Sequence, residues 1–249
     1  MHCRKLVVVL ALLILDVAGV PLNAQAPTAS TRFTVAVAPM YAQPRGEFHQ
    51  NVRRGFGGGG ALLYRLDHSG FLNLRFDGSG FAYGRETRTV PFSETVGGRV
   101  VVDVTTTNSF MAFSFGPEIT VPRGPIRPYL NTGFSGLWLS TGSSVGGFQS
   151  SDGGDASIGT TNFSDATRAL ILGGGVTIPV KGIVSLDTGV RYHRGGQASY
   201  LLKGGIQDNP DGSITVAPIN TRTPYMVYLI GVRIRIPYDS PNPCPRFLC

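Results

Sequence analysis

Eight charged residues stand inside otherwise apolar or small-residue runs: Arg65, Arg75, Asp77, Glu118, Asp187, Arg191, Arg233 and Arg235. Their spacing carries the information. Arg233 and Arg235 are two apart in YMVYLIGVRIRIPY, 225 to 238. A helix would scatter these two arginines about its circumference. A strand sets both on one face, with Met226, Tyr228, Ile230, Val232, Ile234, Ile236 and Tyr238 on the other. Charges of both signs facing one narrow, poorly hydrated space attract strongly, and each becomes a costly orphan once its partner is removed. The chemistry such a set supports is an ionic plug that holds a passage shut. The competing reading is a gate whose rearranged pairs open a path for small solutes. If the last two strands pair symmetrically about their loop, Asp187 falls near Arg233.

Other candidate chemistry is thinner. His193 and Ser199 in YHRGGQASY are residue types a hydrolase uses, but six residues across a loop start do not fix their geometry. No acidic orienting residue accompanies them at a recognisable spacing. GFGGGG, 55 to 60, lacks the Lys-Ser/Thr of a phosphate loop and reads as small residues in a crowded strand. SDGGDAS, 151 to 157, has two aspartates that could touch calcium, though a loop tip accounts for it more simply. His49, His68 and His193 are scattered, so no metal site, cofactor or catalytic residue is assigned and the chain reads as non-enzymatic.

The elements that position the charges are strands. Eight segments alternate with period two: 33–43, 55–67, from 71, from about 99 to 120, from 126, from 167, from 183, and 225–238. No convincing amphipathic helix interrupts them. One face of each carries bulky apolar residues, as Leu72, Leu74 and Phe76 do, and is almost free of charge. The opposite face carries small residues and the charges, as in Asn73, Arg75 and Asp77. The connections alternate long and short. DHSG (67–70), VPRGP (121–125) and Lys181-Gly182 are short, whereas 44–54, 84–98, 141–166 and 195–223 are long. Within the long ones, Gly97-Gly98 and the Asn-Pro-Asp-Gly at 209 to 212 read as hairpin turns, and the Gly/Ser-rich 141–166 reads as mobile. Tyr200, Phe148 and Phe163 on these segments are placed to touch a partner or to pack over the barrel mouth.

This pattern predicts an all-β fold: a closed eight-stranded antiparallel up-and-down transmembrane β-barrel, charged face inward and greasy face to lipid. Closure leaves no unpaired edge in a solvent that offers no hydrogen bonds. Tyr228 and Tyr238 lie ten residues apart on the greasy face. At about 3.3 Å per residue and a tilt near 40°, that spans roughly 25 Å, the height of the apolar band. Phe33, Tyr41, Trp138, Tyr192, Tyr228 and Tyr238 are therefore expected at the membrane interfaces. An even strand number puts both chain ends with the short turns, expected to be periplasmic, and the long loops outside.

The chain resembles the small eight-stranded outer-membrane barrels of the OmpA/OmpX-like superfamily. The likeness covers residues 32 to 238 and rests on the meander, GFGGGGALLYRL, RPYLNTGFSG and the last strand. There, Gly231, Ile234 and Ile236 fit the spacing of the signal read by the barrel-assembly machinery. Leu229 stands where that signal is usually polar, and a tail, 239–249, follows a strand that often ends such chains. The resemblance implies the fold and an outer-membrane address, while the superfamily spans anchors, adhesins, pores and a few enzymes. Its lipid A deacylases carry a His-x-Ser-Asn stretch that is absent here.

Export is read from Arg4 and Lys5 ahead of the apolar Leu6–Leu15, then small residues around Ala24 and Ala26, the layout of a signal peptide over 1–24. Its removal leaves a barrel over 25–238, a short tail over 239–249, and a net charge of +6 from 20 basic and 14 acidic residues. Without a Lys/Arg run, that excess does not point to nucleic acid. Cys244 and Cys249 are a candidate disulfide in the tail. The expected partners are outer-membrane lipid, the assembly machinery and an unidentified extracellular ligand, with the chain a monomer. The expected role is envelope integrity, adhesion or binding through the long loops.

Overall fold

The computed structural model describes residues 32–91, 101–149, 155–202, 206–208 and 214–237. Seven strands follow one another: β1 (Phe33–Pro44), β2 (Gly55–Arg65), β3 (Leu72–Pro91), β4 (Val101–Thr120), β5 (Arg127–Gln149), β6 (Asp155–Lys181) and β7 (Val184–Gly195). Four short strands come next, β8 (Gln197–Tyr200), β9 (Ile206–Asp208), β10 (Ile214–Val216) and β11 (Ile219–Arg222), and then β12 (Tyr225–Ile236). Strands β1 to β7 and β12 pair in chain order as a closed antiparallel barrel. The seam joins β1 to β12, with Phe33 opposite Ile236 and Ala36 opposite Arg233. The short strands pair separately, β8 with β11 and β9 with β10.

Alternation decides the two surfaces. Leu130, Phe134, Phe113 and Leu172 are each more than 60% exposed on the outside, while Ala112, Leu63 and Tyr129 on neighbouring positions are buried within. Large apolar side chains cover the exterior of all eight barrel strands, from Phe33 through Phe76, Phe115 and Leu186 to Ile236. Water would not tolerate so continuous a surface; it is that of a barrel solvated by lipid. Arg168 and Arg194 break it, because they also occupy outward positions and are exposed.

The three short turns each contain a glycine at positive φ: Gly70, Gly124 and Gly182, at 79°, 109° and 54°. In the first, Asp67 closes the loop on itself. Its Oδ1 accepts from the Leu72 N–H at 2.9 Å, its Oδ2 from the Phe71 N–H at 3.2 Å, and the Ser69 hydroxyl donates to the same carboxylate. Those bonds to the ionised form, the Ser69 hydroxyl foremost, hold the Asp67 carboxyl at about 2.

At the other end the fold departs from the sequence expectation in two ways. Residues 84–91 and 141–149 are not loop: β3 to β6 run on well past the barrel, and 155–166, expected as a mobile stretch, belongs to β6. Cross-strand hydroxyl pairs accompany this extension, including Thr106 with Ser143 at 2.9 Å, Ser109 with Ser140 at 3.2 Å and Thr141 donating to Asn108 at 2.7 Å. Such pairs stitch a Ser/Thr-rich sheet that apolar patterning does not reveal. The second departure is a helix, α1 (Gly46–Asn51), between β1 and β2. Its Phe48 is fully buried, and Val52 one turn on is nearly so, an i, i+4 apolar pair on a helix too short to show periodicity. The Gly97-Gly98 turn, the 209–212 turn, residues 151–154 of SDGGDAS, the side chain of Phe148, Tyr238, and Cys244 with Cys249 lie outside the described residues and side chains.

Candidate functional site

The inward face of the barrel brings six of the eight singled-out charges into one chain of contacts. Arg191 on β7 donates from Nη1 to Asp77 Oδ1 on β3 at 2.8 Å. Asp77 also accepts from Arg75 Nε at 2.9 Å. Arg75 Nη1 reaches Glu118 Oε2 on β4 at 2.6 Å. Glu118 Oε1 receives Arg233 Nη1 from β12 at 2.6 Å, and Arg233 Nε lies 2.9 Å from Asp187 Oδ2 on β7. Positive and negative thus alternate from Arg191 to Asp187, three of each, with no net charge. The chain crosses the lumen and begins and ends on the same strand.

Five members are buried, Glu118 fully so, and the Asp77 side chain is only 9% exposed. An isolated charge there would be intolerable, and the alternation is what makes six acceptable. The neighbouring groups hold the geometry. Thr120 donates to Glu118 Oε1 at 3.0 Å. The ring of Tyr129 on β5 lies 4.2 Å from the Arg233 guanidinium carbon, a cation–π contact in a space shielded from water. Tyr129 fits because Gly175 and Gly189 face it: a Cβ on either would stand 2.6 or 2.4 Å from its hydroxyl oxygen. The sequence reading missed Tyr129. The signal was its neighbour, since Leu130 facing lipid requires Tyr129 to face the lumen.

The other two arginines lie nearer the short-turn end. Arg235 faces inward near the short-turn end, where its Nη2 donates to the Gly182 carbonyl at 2.7 Å and no carboxylate pairs with it among the described residues. Arg65 is half-buried beside the first short turn, its guanidinium within 3.3–3.6 Å of where a Gly70 Cβ would be. Alternation alone does not distinguish the two: Arg233 takes two carboxylates, and Arg235, two residues nearer the rim, takes a backbone carbonyl.

Towards the long-loop end the filling changes. Phe81 and Phe110 stack with ring centroids 4.8 Å apart, and Tyr225 meets Phe110 edge-on at 5.1 Å. Leu137, Leu139, Ala112, Met40, Val227 and Leu229 complete this layer. A cap closes it from above. Phe48 of α1 packs on Tyr200 of β8 at 5.3 Å and on Phe110 at 6.3 Å. Tyr200 is buried, so of the two roles left open for it the packing one is what the structure shows. Hydrogen bonds tie the cap down: Asn51 Nδ2 to Tyr200 Oη at 3.2 Å, and the Arg222 N–H to Glu47 Oε2 at 3.1 Å. Beside the ionic chain a cavity of about 10 Å³ touches Arg75, Asp77 and Asn131, room for about one water molecule.

His193 lies between the two fillings, buried and stacked on Tyr225 at 4.4 Å. Ser199 sits on β8, accepts from Asn220 Nδ2 at 3.0 Å and donates its N–H to Asp165 Oδ2 at 2.6 Å; no His193–Ser199 hydrogen bond occurs among the described residues. No group of three or more potential metal-ligating side chains occurs among the described residues.

At the outer surface, Tyr41 clusters with Phe56 at 5.2 Å and with Tyr228 at 6.1 Å, and Phe33 meets Tyr64 at 5.1 Å at the other end of β1. Tyr192 and Trp138 face outward and are 39% and 55% exposed. Trp138 does not end its strand, because β5 continues eleven residues beyond it to Gln149.

No protein-family model and no curated protein matches the chain. Solved structures do. OprG from Pseudomonas aeruginosa is 11% identical over 84% of this chain and 98% of its own, with a TM-score of 0.50. Neisserial surface protein A, NspA, is 16% identical over 83% and 98%, at 0.45. The outer-membrane protease OmpT from Escherichia coli is 8% identical over 86% and 99%, at 0.41. The fold is that of the small outer-membrane barrels. At these identities the likeness concerns the fold, and the lumen has to be read from its own residues.

Proposed function

We propose that this chain is a closed outer-membrane barrel, not a conduit, acting in envelope integrity or in surface contact through its long-loop end. One observation carries the reading: the lumen is filled twice, by a neutral ionic chain and then by an aromatic layer with its own cap. A gate needs a filling that can move aside. Here the same aromatic residues that fill the lumen also anchor α1 and β8, so opening would cost the packing of both. In this reading the short turns face the periplasm, the leader over 1–24 is removed, and β12 is the strand the assembly machinery reads. Phe33, Tyr41, Trp138, Tyr192, Tyr228 and Tyr238 mark the interfaces. The role is non-catalytic, supported by the separate settings of His193 and Ser199.

Single-channel recording in planar bilayers tests it. The wild-type barrel is expected to insert without stepwise conductance. Asp187→Ala should lower the temperature at which the barrel loses its heat-modifiable compact form, because Arg233 keeps only Glu118. It should leave the bilayer silent, since the aromatic layer is untouched. Regular unitary steps from the wild-type protein would decide for a small-solute pore instead.

A further inference from the structure

Arg168 on β6 and Arg194 on β7 are the anomaly of the outer surface. Both face outward: their neighbours Ala169, His193 and Gly195 are buried inside, and Arg194 pairs across the strands with the lipid-facing Leu170. Arg168 lies one pleat further towards the long-loop end, its carbonyl accepting from the Gly196 N–H at 2.8 Å. The two are therefore diagonal neighbours on one face, within mutual reach of a single anion. No ion pair or hydrogen bond is recorded for either guanidinium among the described residues. Inside the barrel, by contrast, three arginines are matched by three carboxylates.

An unpaired arginine on a lipid-facing wall is tolerated only where it can reach the polar edge of the membrane. What lies beside the pair says what it meets there. Directly opposite Arg168 on β5 is Gly136, and a side chain built on it would touch nothing within 4 Å, so the wall is notched at that point. The next outward residue on β5 is Trp138, 55% exposed. Beyond it the outward face turns to hydroxyls. Thr107, Ser109, Ser140, Ser144 and Thr161 line an open hollow of about 360 Å³. Arg85, exposed, is paired with Thr107 at its edge. Cations, then an aromatic ring, then a shelf of small hydroxyls follow one another along about 13 Å of strand, from Gly136 to Ser140.

We propose that this strip binds the headgroup of a phosphorylated glycolipid in the leaflet on the long-loop side. A phosphate sits between Arg168 and Arg194 over the β6–β7 pair, and the notch at Gly136 on the β5 side of Arg168 leaves room for the headgroup to cross to β5. The sugar lies over Trp138, and its hydroxyls meet Ser109 and Ser140. Guanidinium pairs suit phosphate because their donors match its oxygens bidentately. An ordinary phospholipid would use the arginines and leave the hydroxyl shelf idle. The proposal rests on the membrane placement argued above but not on the closed lumen.

Trp138 is the protein's only tryptophan, so its emission reports on the strip. The full-length protein is reconstituted in phosphatidylcholine vesicles carrying increasing fractions of diphosphoryl lipid A, or of the same lipid with its phosphates removed. A saturable change is expected with the first. Half-saturation should need about tenfold more of the dephosphorylated lipid, and about tenfold more diphosphoryl lipid in the R168Q/R194Q variant. R168K/R194K should fall between, and S109A/S140A should weaken binding while keeping the phosphate preference. Both arginines face outward, so compact migration on gels checks that the variants are folded. Equal half-saturation for wild type and R168Q/R194Q, or for the two lipids, would overturn the site. The same saturable signal from inorganic phosphate alone would overturn the lipid as its occupant. Failure of the wild-type protein to float with any vesicle would instead defeat the membrane placement, and this proposal with it.

Discussion

Four residues of strand separate two kinds of filling in this barrel: Asp77 from Phe81 on β3, and Leu229 from Arg233 on β12. On one side the lumen is packed by charges whose positions are dictated atom by atom, at 2.6–2.9 Å. On the other it is packed by rings and aliphatic chains, whose contacts depend on shape and little on direction. The ionic half ties barrel strands to one another, joining β3, β4, β7 and β12. The aromatic half ties the barrel to what lies above it, through Phe48 and Tyr200. One half sets the register of the wall and the other closes its mouth.

The comparison is broken most severely at Glu118. Glu118→Ala removes the only carboxylate shared by Arg75 and Arg233, leaving Arg233 with Asp187 and Arg75 with Asp77. Breaking a buried pair costs about 3–5 kcal/mol, and here two pairs go at once. Urea unfolding in vesicles, followed by Trp138 emission, should show the largest loss of any single substitution in the lumen. Phe110→Ala should come next, at about 3 kcal/mol for the removed ring and the cavity it leaves. Its signature differs. It should loosen the cap, seen as proteolysis in the segment around Phe48, which Glu118→Ala spares. Cleavage of both variants at equal rates there would erase the distinction between the two halves.

Asp67→Ala is the control outside both fillings and should have the smallest effect. The Asp67 carboxyl is held near 2, below its unfolded value, so its contribution is present above about pH 4 and disappears as pH falls through 2. The variant should therefore unfold more readily than wild type at neutral pH, and the two curves should merge in strong acid. A difference that persisted below pH 2 would mean the turn is held by something other than that carboxylate.

How far the sequence carries depends on which rule governs each residue. Facing was legible nearly everywhere, because a period of two is forced once one side is lipid and the other a narrow lumen. That rule alone places Arg75, Asp77, Glu118, Asp187, Arg191 and Arg233 on the inward face. It could not separate Arg235 from Arg233, since both obey the same alternation and only depth along the barrel tells them apart. The aromatic layer was illegible for a related reason. In FMAFSF, Phe110 points inward while Phe113 and Phe115 point out, so composition mixes the core with the lipid surface. Bulges between Ala82 and Gly84 and between Thr141 and Gly142 shift the alternation just where the strands leave the membrane. Cross-strand hydroxyl pairs then continue the sheet without the apolar pattern that marks a strand. Neither Arg168 nor Arg194 stands out in the one-dimensional sequence, because each looks like an ordinary polar position until the register turns it outward.

The seam between β1 and β12 has a consequence for how the molecule is made. The last barrel strand in the chain delivers Arg233, the ion-pair partner of Asp187 and one of the two arginines on Glu118. A chain cut short before β12 would hold the three carboxylates of the ionic chain against two of its three arginines. Completion of synthesis and neutralisation of the interior are thus a single event. An unfinished copy carries an electrostatic mark of its own incompleteness, and the final strand acts as the key that removes it.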